Sequence, residues 1–406
     1  MKHKRRLSVY SPSATDTLGH PEYVFETLVN LKDKYEIELF AMMGDFNCRE
    51  RFANAGINLV IIGENYYSDG PKLKQKFRKY GILGQFLYAV YKVLTSFSML
   101  REFYRKQKGD ASYLFEFEYI SFAILAIWNK RALSKSIAVI HGANFESNKF
   151  GFQGIYRFLA RVSVRSIINN LAFVAVHDES IKKNLMDQCG LSNDHGRQIF
   201  ISGYGYNEIL TKSKKFCRSA LGIDSDEIVI LFFGLLRLDK CIPEIFYKIA
   251  NVEVPSNKKI RILIRGLRQD VTELEVLEAL NSLKKSGYHV DYKDGFVADS
   301  QIEYLFTSTD YVFLSHNINF GSFSGPLSQA FQYKRSIISS NSKTVGSIIR
   351  ELNAGYVYSN YNELDHILRE IFKIDDPAEI SVDAKFYLWS ACAERISNRI
   401  DQICKI

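Results

Sequence analysis

The chain has 406 residues and a formal net charge of +8; 47% of it is apolar and 14% aromatic. That length allows two domains with a core each, and the apolar content excludes a disordered protein. Six widely spaced cysteines (Cys48, Cys189, Cys217, Cys241, Cys392 and Cys404) with no CxxC pairing exclude a disulfide framework and a zinc pattern, and imply a reducing compartment.

The first residues, MKHKRRLSVYSPSATD, carry the charges of a signal peptide without an apolar stretch behind them. We therefore expect mature protein running directly into a strand over 7–10. A polar loop leads to a helix over 21–32, with Val24, Leu28 and Leu31 at helical spacing and Pro21 in its first turn. Gly19, just before it, permits close backbone approach; with His20 it forms either a ligand-facing loop or a plain turn. Strands over 36–42 and 57–62 alternate with helices, the pattern of a parallel sheet.

Between residues 71 and 108 the composition shifts to ten Lys or Arg against one acid, Glu102. These cations flank GILGQFLYAVYKVLTSFSML, about the length of a membrane span, but Lys92 near its middle disfavours crossing. Two readings stand: an interfacial helix with its cations on anionic lipid, or a core helix with solvated ends.

A strand over 111–118, a helix over 121–129 and a strand over 136–140 follow. His141 comes directly after that last strand, at the sheet edge where open α/β folds bind ligands, with Gly142 and Glu146 nearby. A strand over 173–176 runs into a helix that Asp178 or Ser180 can cap. A strand over 200–203 and an irregular stretch end the first half, and 211–221 reads as linker and opening helix of the second.

The second half opens with IVILFFGLLRLDK: a buried strand over 228–233, Gly234, then Arg237 and Lys240. A helix through Ile242, Ile245, Phe246 and Ile249 follows. Strand, glycine turn, cations and helix start make an anion-binding corner, with Arg as a planar fork and Lys as a point charge. A strand over 260–264 ends in Arg265 and Gly266, and a helix over 271–285 and a strand over 290–292 come next. Gly295, Phe296 and Val297 form a loop before a helix over 300–307 and a strand over 310–314. The segment NINFGSFSGPLSQAFQYKRSIISS then reads as a glycine- and serine-rich loop, a helix over 326–332 and a strand over 336–339. Free amides at that helix start, Gly325 included, with the Ser322 and Ser324 hydroxyls, suit a diphosphate. Pro326 loses nothing in a first turn. The tail, 383–406, is an amphipathic helix through Trp389, Ala393, Ile396, Ile400 and Ile403.

At 232–240 and 320–339 the chain resembles GT-B glycosyltransferases, and the order of elements carries the resemblance over nearly the whole length. It implies an α/β protein of GT-B architecture, two Rossmann-like, doubly wound parallel-sheet domains facing a cleft. Residues 1–207, with the returning helix 384–406, would bind the acceptor; 208–383 would bind a nucleotide-sugar. Arg237 and Lys240 would hold the donor diphosphate and His141 would stand beside the transferred sugar, the three forming the catalytic set. Gly234, Arg265, Phe296, Val297, Ser322, Ser324, Gly325 and Gln329 fall on the donor side, and Gly19, His20 and Glu146 on the acceptor side. Phe323, Pro326, Leu327 and Ala330 match the family's loop and helix. Three departures stand out. Gly321 and Gln329 occupy the places of a glutamate pair found in many retaining members. Arg237 stands three places after the glycine, where many relatives have it adjacent. Cys241 replaces a glycine that usually follows the lysine.

The resemblance implies a hexosyltransferase-type enzyme acting on a glycan or lipid-linked acceptor in bacterial cell-surface polysaccharide or glycolipid synthesis. It would work without cofactor or metal; the one DxD, Asp224-Ser225-Asp226, precedes a strand instead of ending one. Retention follows from the resemblance, whereas inversion would require Asp16, His20 or Glu146 as base. The alternative is a catalytically degenerate GT-B protein that holds a sugar nucleotide or scaffolds a membrane assembly. Nucleic acid is not an expected partner, because the cations flank an apolar helix and do not interleave with stacking aromatics. No GxGxxG follows a strand, which speaks against a dinucleotide enzyme. The expected location is the cytoplasm, peripheral on the inner face of the membrane where 71–108 meets lipid.

Overall fold

A computed structural model describes residues 4–15, 21–63, 77, 79–143, 145, 152–374, 379–380 and 384–405. The chain divides into two units, Met1–Gly205 with Trp389–Ile406, and Tyr206–Leu388.

The first unit is built on seven strands: β1 (Arg5–Tyr10), β2 (Tyr35–Ala41), β3 (Asn58–Ile61), β4 (Ala111–Leu114), β5 (Ser136–Ile140), β6 (Phe173–Val176) and β7 (Ile199–Ile201). They lie in the order β3-β2-β1-β4-β5-β6-β7, and every pairing is parallel. Both faces are covered by helices, so β5 and β6 read as near-continuous apolar runs, whereas β2 alternates Glu36 and Glu38 with Ile37 and Leu39. On one face Val24 and Leu28 of the helix Pro21–Leu31 share a core with Trp389, Ala393, Ile396 and Ile400 of the last helix, Trp389–Ile403. The Tyr35 hydroxyl donates to Asp401 Oδ1 at 3.0 Å, anchoring that helix near its end. On the other face Leu100 and Phe103, Phe122 and Leu125, and Val164 and Ile167 pack beneath the helices Gly81–Lys106, Tyr119–Trp128 and Phe152–Ile168.

Two local outcomes differ from the sequence reading. The strand expected over 111–118 stops at Leu114, because the Glu118 carboxylate turns back to accept from the Ile120 and Ser121 amides at 3.2 and 2.7 Å and caps the following helix. The helices Phe46–Asn54, capped by Asp45, and Phe152–Ile168 were not anticipated. Of the two candidate caps at 178–180, Asp178 does the work, accepting from the Ser180 amide at 2.7 Å.

The second unit has six strands, β8 (Glu227–Phe233), β9 (Lys259–Gly266), β10 (His289–Asp294), β11 (Tyr311–Leu314), β12 (Ser336–Ser340) and β13 (Gly355–Tyr358). Their order is β10-β9-β8-β11-β12-β13, again all parallel. The winding direction reverses between β8 and β11, and the crevice beyond the carboxyl ends of those two strands is the topological switch point. At the opposite ends the same two strands are tied by Asp310. Its buried carboxylate accepts from the Val229 amide and from Arg218 Nη2, both at 2.7 Å, and meets Lys214 Nζ at 2.5 Å. Arg218 also donates to the Ser308 and Glu227 carbonyls at 3.0 Å.

Removing one partner from a buried ion pair leaves an uncompensated charge and costs about 3–5 kcal/mol. Urea unfolding of Arg218→Met is expected to show a loss of that order, and Asp310→Asn with Arg218→Met together to recover part of it.

Candidate functional site

The switch point of the second unit collects the groups that the sequence singled out around residue 237. β8 ends at Phe233, and Gly234 turns the chain with φ +96°, a left-handed conformation that favours glycine. Its amide donates to the Arg265 carbonyl at 3.0 Å. A Cβ on Gly266, at the end of β9, would lie 1.7 Å from the Gly234 carbonyl oxygen, so the two strand ends touch through bare backbone. The loop then descends through Arg237 into a short 3-10 turn, Leu238–Lys240. Ser315, just after β11, donates its hydroxyl to the Lys240 carbonyl at 2.6 Å, and the Asn317 amide donates to the Asp239 carbonyl at 2.8 Å. The cation loop is thus fastened to both strands that flank the switch point.

The cations point into this corner. Lys240 Nζ lies 3.3 Å from where a Gly234 Cβ would stand, and the ring of Pro326 is 3.5 Å from the same point. The ammonium therefore sits beside the first turn of the helix Gly325–Gln332. Burial, reinforced by neighbouring Arg237, pushes the Lys240 pKa down to about 8. Arg237 Nη2 pairs with Asp239 Oδ2 at 2.9 Å, and its buried Nε meets no partner among the described residues. Ser324 caps the helix by backbone alone, without a side-chain hydrogen bond, and its first turn holds no acid. Two cations, a helix start and an unsatisfied donor, with Asp239 as the one paired carboxylate among the described residues, form a site suited to a multiply charged oxyanion.

One residue of this corner was not singled out from sequence. His316 lies two places beyond β11, is 2% exposed, and stacks on Phe320 with ring centroids 4.2 Å apart. Neither ring nitrogen has a partner among the described residues. Burial first, then Lys240, pushes its pKa down to about 3, so the ring is neutral and can both donate and accept. It shares the walls of a small pocket with Lys240, Phe232 and Leu314.

The remaining donor-side residues are placed as follows. Gly295 follows β10 with φ +125°, and its amide donates to the Gly266 carbonyl at 3.1 Å. Phe296 presents an exposed ring, and Val297 packs against the core. Ser322 and Gln329 are half-buried, in the loop and the helix that follows it. Arg265 is buried and committed elsewhere, with Nη2 on Asp291 Oδ2 at 2.7 Å and Nη1 on the Ile264 and Asp291 carbonyls at 2.9 Å.

In the first unit His141 follows β5 as expected, and the structure adds a second histidine. β5 and β6 run in register with Ile140 beside Val176, which brings His141 against His177. His141 Nδ1 lies 2.8 Å from His177 Nε2, His141 Nε2 lies 2.7 Å from the Phe115 carbonyl oxygen, and His177 Nδ1 lies 3.0 Å from that of Gly203. Each outer nitrogen faces a carbonyl oxygen, to which it can only donate, and the inner nitrogens face each other. His177 obeys the rule that drew attention to His141, a histidine directly after a buried strand. Asp16, Gly19, His20 and Glu146 lie outside the described residues. Among the described residues no three His, Cys, Asp or Glu side chains gather as metal ligands.

No protein-family model matches the sequence, and no curated protein does. Solved structures do. Sucrose-phosphate synthase from Thermosynechococcus elongatus superposes with a TM-score of 0.71 at 14% identity, over 98% of this chain and 99% of that one. Anabaena HepE in complex with UDP and glucose gives 0.61 at 14%, over 99% and 97%. The lipopolysaccharide outer core galactosyltransferase WaaB gives 0.63 at 11%, over 98% and 99%. The chain has the GT-B fold. Within GT-B proteins, the glycine that usually follows the loop lysine has a conformational explanation here: Cys241 occupies that place with φ +56° and ψ +27°. A side chain in this left-handed region costs about 1–2 kcal/mol. Comparing Cys241→Gly with Cys241→Ala by chemical denaturation is expected to favour glycine by about 1 kcal/mol, isolating the backbone term because neither variant keeps the thiol.

Proposed function

We propose that the chain is a glycosyltransferase that moves a sugar from a nucleotide-sugar donor, without cofactor or metal. The observation that carries this is the corner of Gly234, Arg237, Lys240 and the Gly325–Gln332 helix start at the switch point. The similarity to HepE, solved with UDP and glucose, supports a nucleotide diphosphate as the ligand of that corner. Glycosyl transfer passes through an oxocarbenium-like state, so the departing diphosphate needs preorganised positive charge. Arg237 would exchange Asp239 for phosphate oxygens, its Nε, without a partner among the described residues, completing a fork, while Lys240 and the helix amides share the charge. His316 is placed to offer a neutral hydrogen-bonding group to the same ligand. His141, oriented by His177, serves the transferred sugar by resemblance. The acceptor is a glycan or lipid-linked saccharide of cell-surface polysaccharide or glycolipid synthesis, a reading that the similarity to WaaB, a lipopolysaccharide galactosyltransferase, supports. The protein would work at the cytoplasmic face of a membrane. Retention follows the family resemblance, and the anomeric configuration of an isolated product tests it.

A specific observation favours a second reading, a degenerate sugar-nucleotide holder: Gly321 and Gln329 stand where many retaining members have glutamates. Slow donor hydrolysis without acceptor separates the two, since a holder releases no free sugar.

Thermal shift against UDP-, GDP-, ADP- and CMP-sugars is expected to raise the melting temperature for one donor. Charge-assisted hydrogen bonds contribute about 1.5–3 kcal/mol each, so Arg237→Ala should weaken that donor about tenfold or more. No shift with any donor, in folded protein, would turn the assignment to a scaffold. A pH titration gives a second test. Lys240 has its pKa lowered from 10.5 to about 8, and an adjacent anion restores the charged form, so binding takes up a proton above pH 8. Affinity for the nucleoside diphosphate should be flat just below that pH and fall by up to about tenfold per unit above it. Lys240→Arg, which stays charged, should flatten the profile.

A further inference from the structure

The helices on the outer side of the first unit carry apolar residues where helices facing water carry polar ones. Along Gly81–Lys106, Leu83, Phe86, Leu87, Val90 and Leu94 repeat at helical spacing and are all exposed, Leu83 and Leu94 by 63% and 62%. They are not a misplaced core face, because Leu100 and Phe103 of the same helix already fill the core. Along Phe152–Ile168 the pattern recurs: Ile155, Phe158, Leu159 and Val162 are exposed while Ala160, Val164 and Ile167 are buried. The helix Tyr119–Trp128 packs against both and ends in exposed Ile127 and Trp128, the latter by 69%. All three helices bury their inner sides in one core over one face of the sheet, so the two stripes flank a common middle helix.

Charge decides what covers this face. Residues 79–106, 119–135 and 152–168 hold eleven Lys or Arg and a single acid, Glu102, which is itself paired with Lys106 at 2.7 Å. Arg101 and Arg105 continue the line of the first stripe, Arg161 and Arg165 border the second, and Lys130 and Arg131 stand beside Trp128, all of them exposed. A second copy of the chain would bring two such cationic faces together, which like-charge repulsion opposes. Nucleic acid would require stacking aromatics where the stripes are mostly aliphatic. Exposed aliphatic side chains, bordering cations and a tryptophan at the margin match the chemistry of an anionic bilayer surface. Among the described residues no helix is long and apolar enough to cross a membrane.

We propose that the face formed by Gly81–Lys106, Tyr119–Trp128 and Phe152–Ile168 docks on an anionic lipid bilayer, the two outer helices lying in the interface plane. This deepens the peripheral location in the reading above and extends the contact from the basic stretch around Lys92 to a second helix about sixty residues on. The docking itself does not require transfer activity.

The test is flotation of the full chain with phosphatidylcholine vesicles containing about 30% phosphatidylglycerol, against phosphatidylcholine alone. Co-flotation is expected on the anionic vesicles only and should fall steeply at about 0.5 M salt. Phe158→Ser with Leu159→Ser, and separately Leu87→Ser with Leu94→Ser, should each lower the bound fraction by about fivefold or more. Arg161→Glu with Arg165→Glu should remove most of the anionic preference. All these positions are exposed, and folding is checked by circular dichroism on the same samples. Absence of flotation in folded wild type, equal flotation on neutral vesicles, or insensitivity to the Phe158 and Leu159 pair would overturn the proposal. So would a dimer in light scattering that the same substitutions dissociate. The donor thermal shift is read in parallel: lost flotation with a retained shift counts against docking alone, and the reverse counts against the transferase reading alone.

Discussion

Gly266 approaches the Gly234 carbonyl so closely that any side chain there would overlap it, and the geometry of the second unit's site hangs on this contact. Because the ends of β8 and β9 touch through backbone, the chain leaving β8 is forced down across the switch point. There it meets the end of β11 and is held by the Ser315 hydroxyl and the Asn317 amide. Arg237 and Lys240 inherit their positions from that path. At the far ends of the same strands Asp310 and Arg218 supply a second clamp. The pair β8 and β11 is therefore fixed at both ends, and the loops between them have a rigid base.

The corner at this junction is electrostatically unbalanced. Lys240 is held with a depressed pKa, His316 is kept neutral, and Arg237 keeps one buried nitrogen without a partner among the described residues. Each arrangement costs stability in the absence of an anion and is relieved by one. Such a concentration of unfavourable terms at one strand junction is what the proposed diphosphate site would account for. Asp239 moderates the imbalance by pairing with Arg237 from within the same turn.

Legibility in the sequence followed burial. Strands covered on both faces appear as short apolar runs, so β5, β6 and β8 could be read closely. Elements whose outer face departs from the usual polar pattern could not: Phe152–Ile168 has arginines four apart at Arg157, Arg161 and Arg165, but Ile155, Phe158, Leu159 and Val162 stand exposed where a surface helix carries polar residues. The strand expected to reach Glu118 was shortened by a capping carboxylate, a local competition that alternation alone does not reveal. In the site, the cations were visible because they follow a strand and a glycine. His177 and His316 stand in equally telling places after β6 and β11, but His177 meets His141 from the neighbouring strand and His316 is buried beside Lys240 from the loop after β8, and strand order is not written in spacing. The left-handed backbone at Cys241 was hidden for a different reason, since a cysteine gives no hint of positive φ.

The return of the last helix, Trp389–Ile403, onto the first helix, Pro21–Leu31, makes the second unit an insertion within the first. During synthesis the ribosome completes every strand of both sheets before the residues that close the first unit's core have been made. The second unit can finish folding while Val24, Leu28 and the sheet beneath them still wait, uncovered, for Ile396 and Ile400. The earlier half of the polypeptide is thus the later to mature, and its apolar surface is left to chaperones or to transient self-association for most of translation.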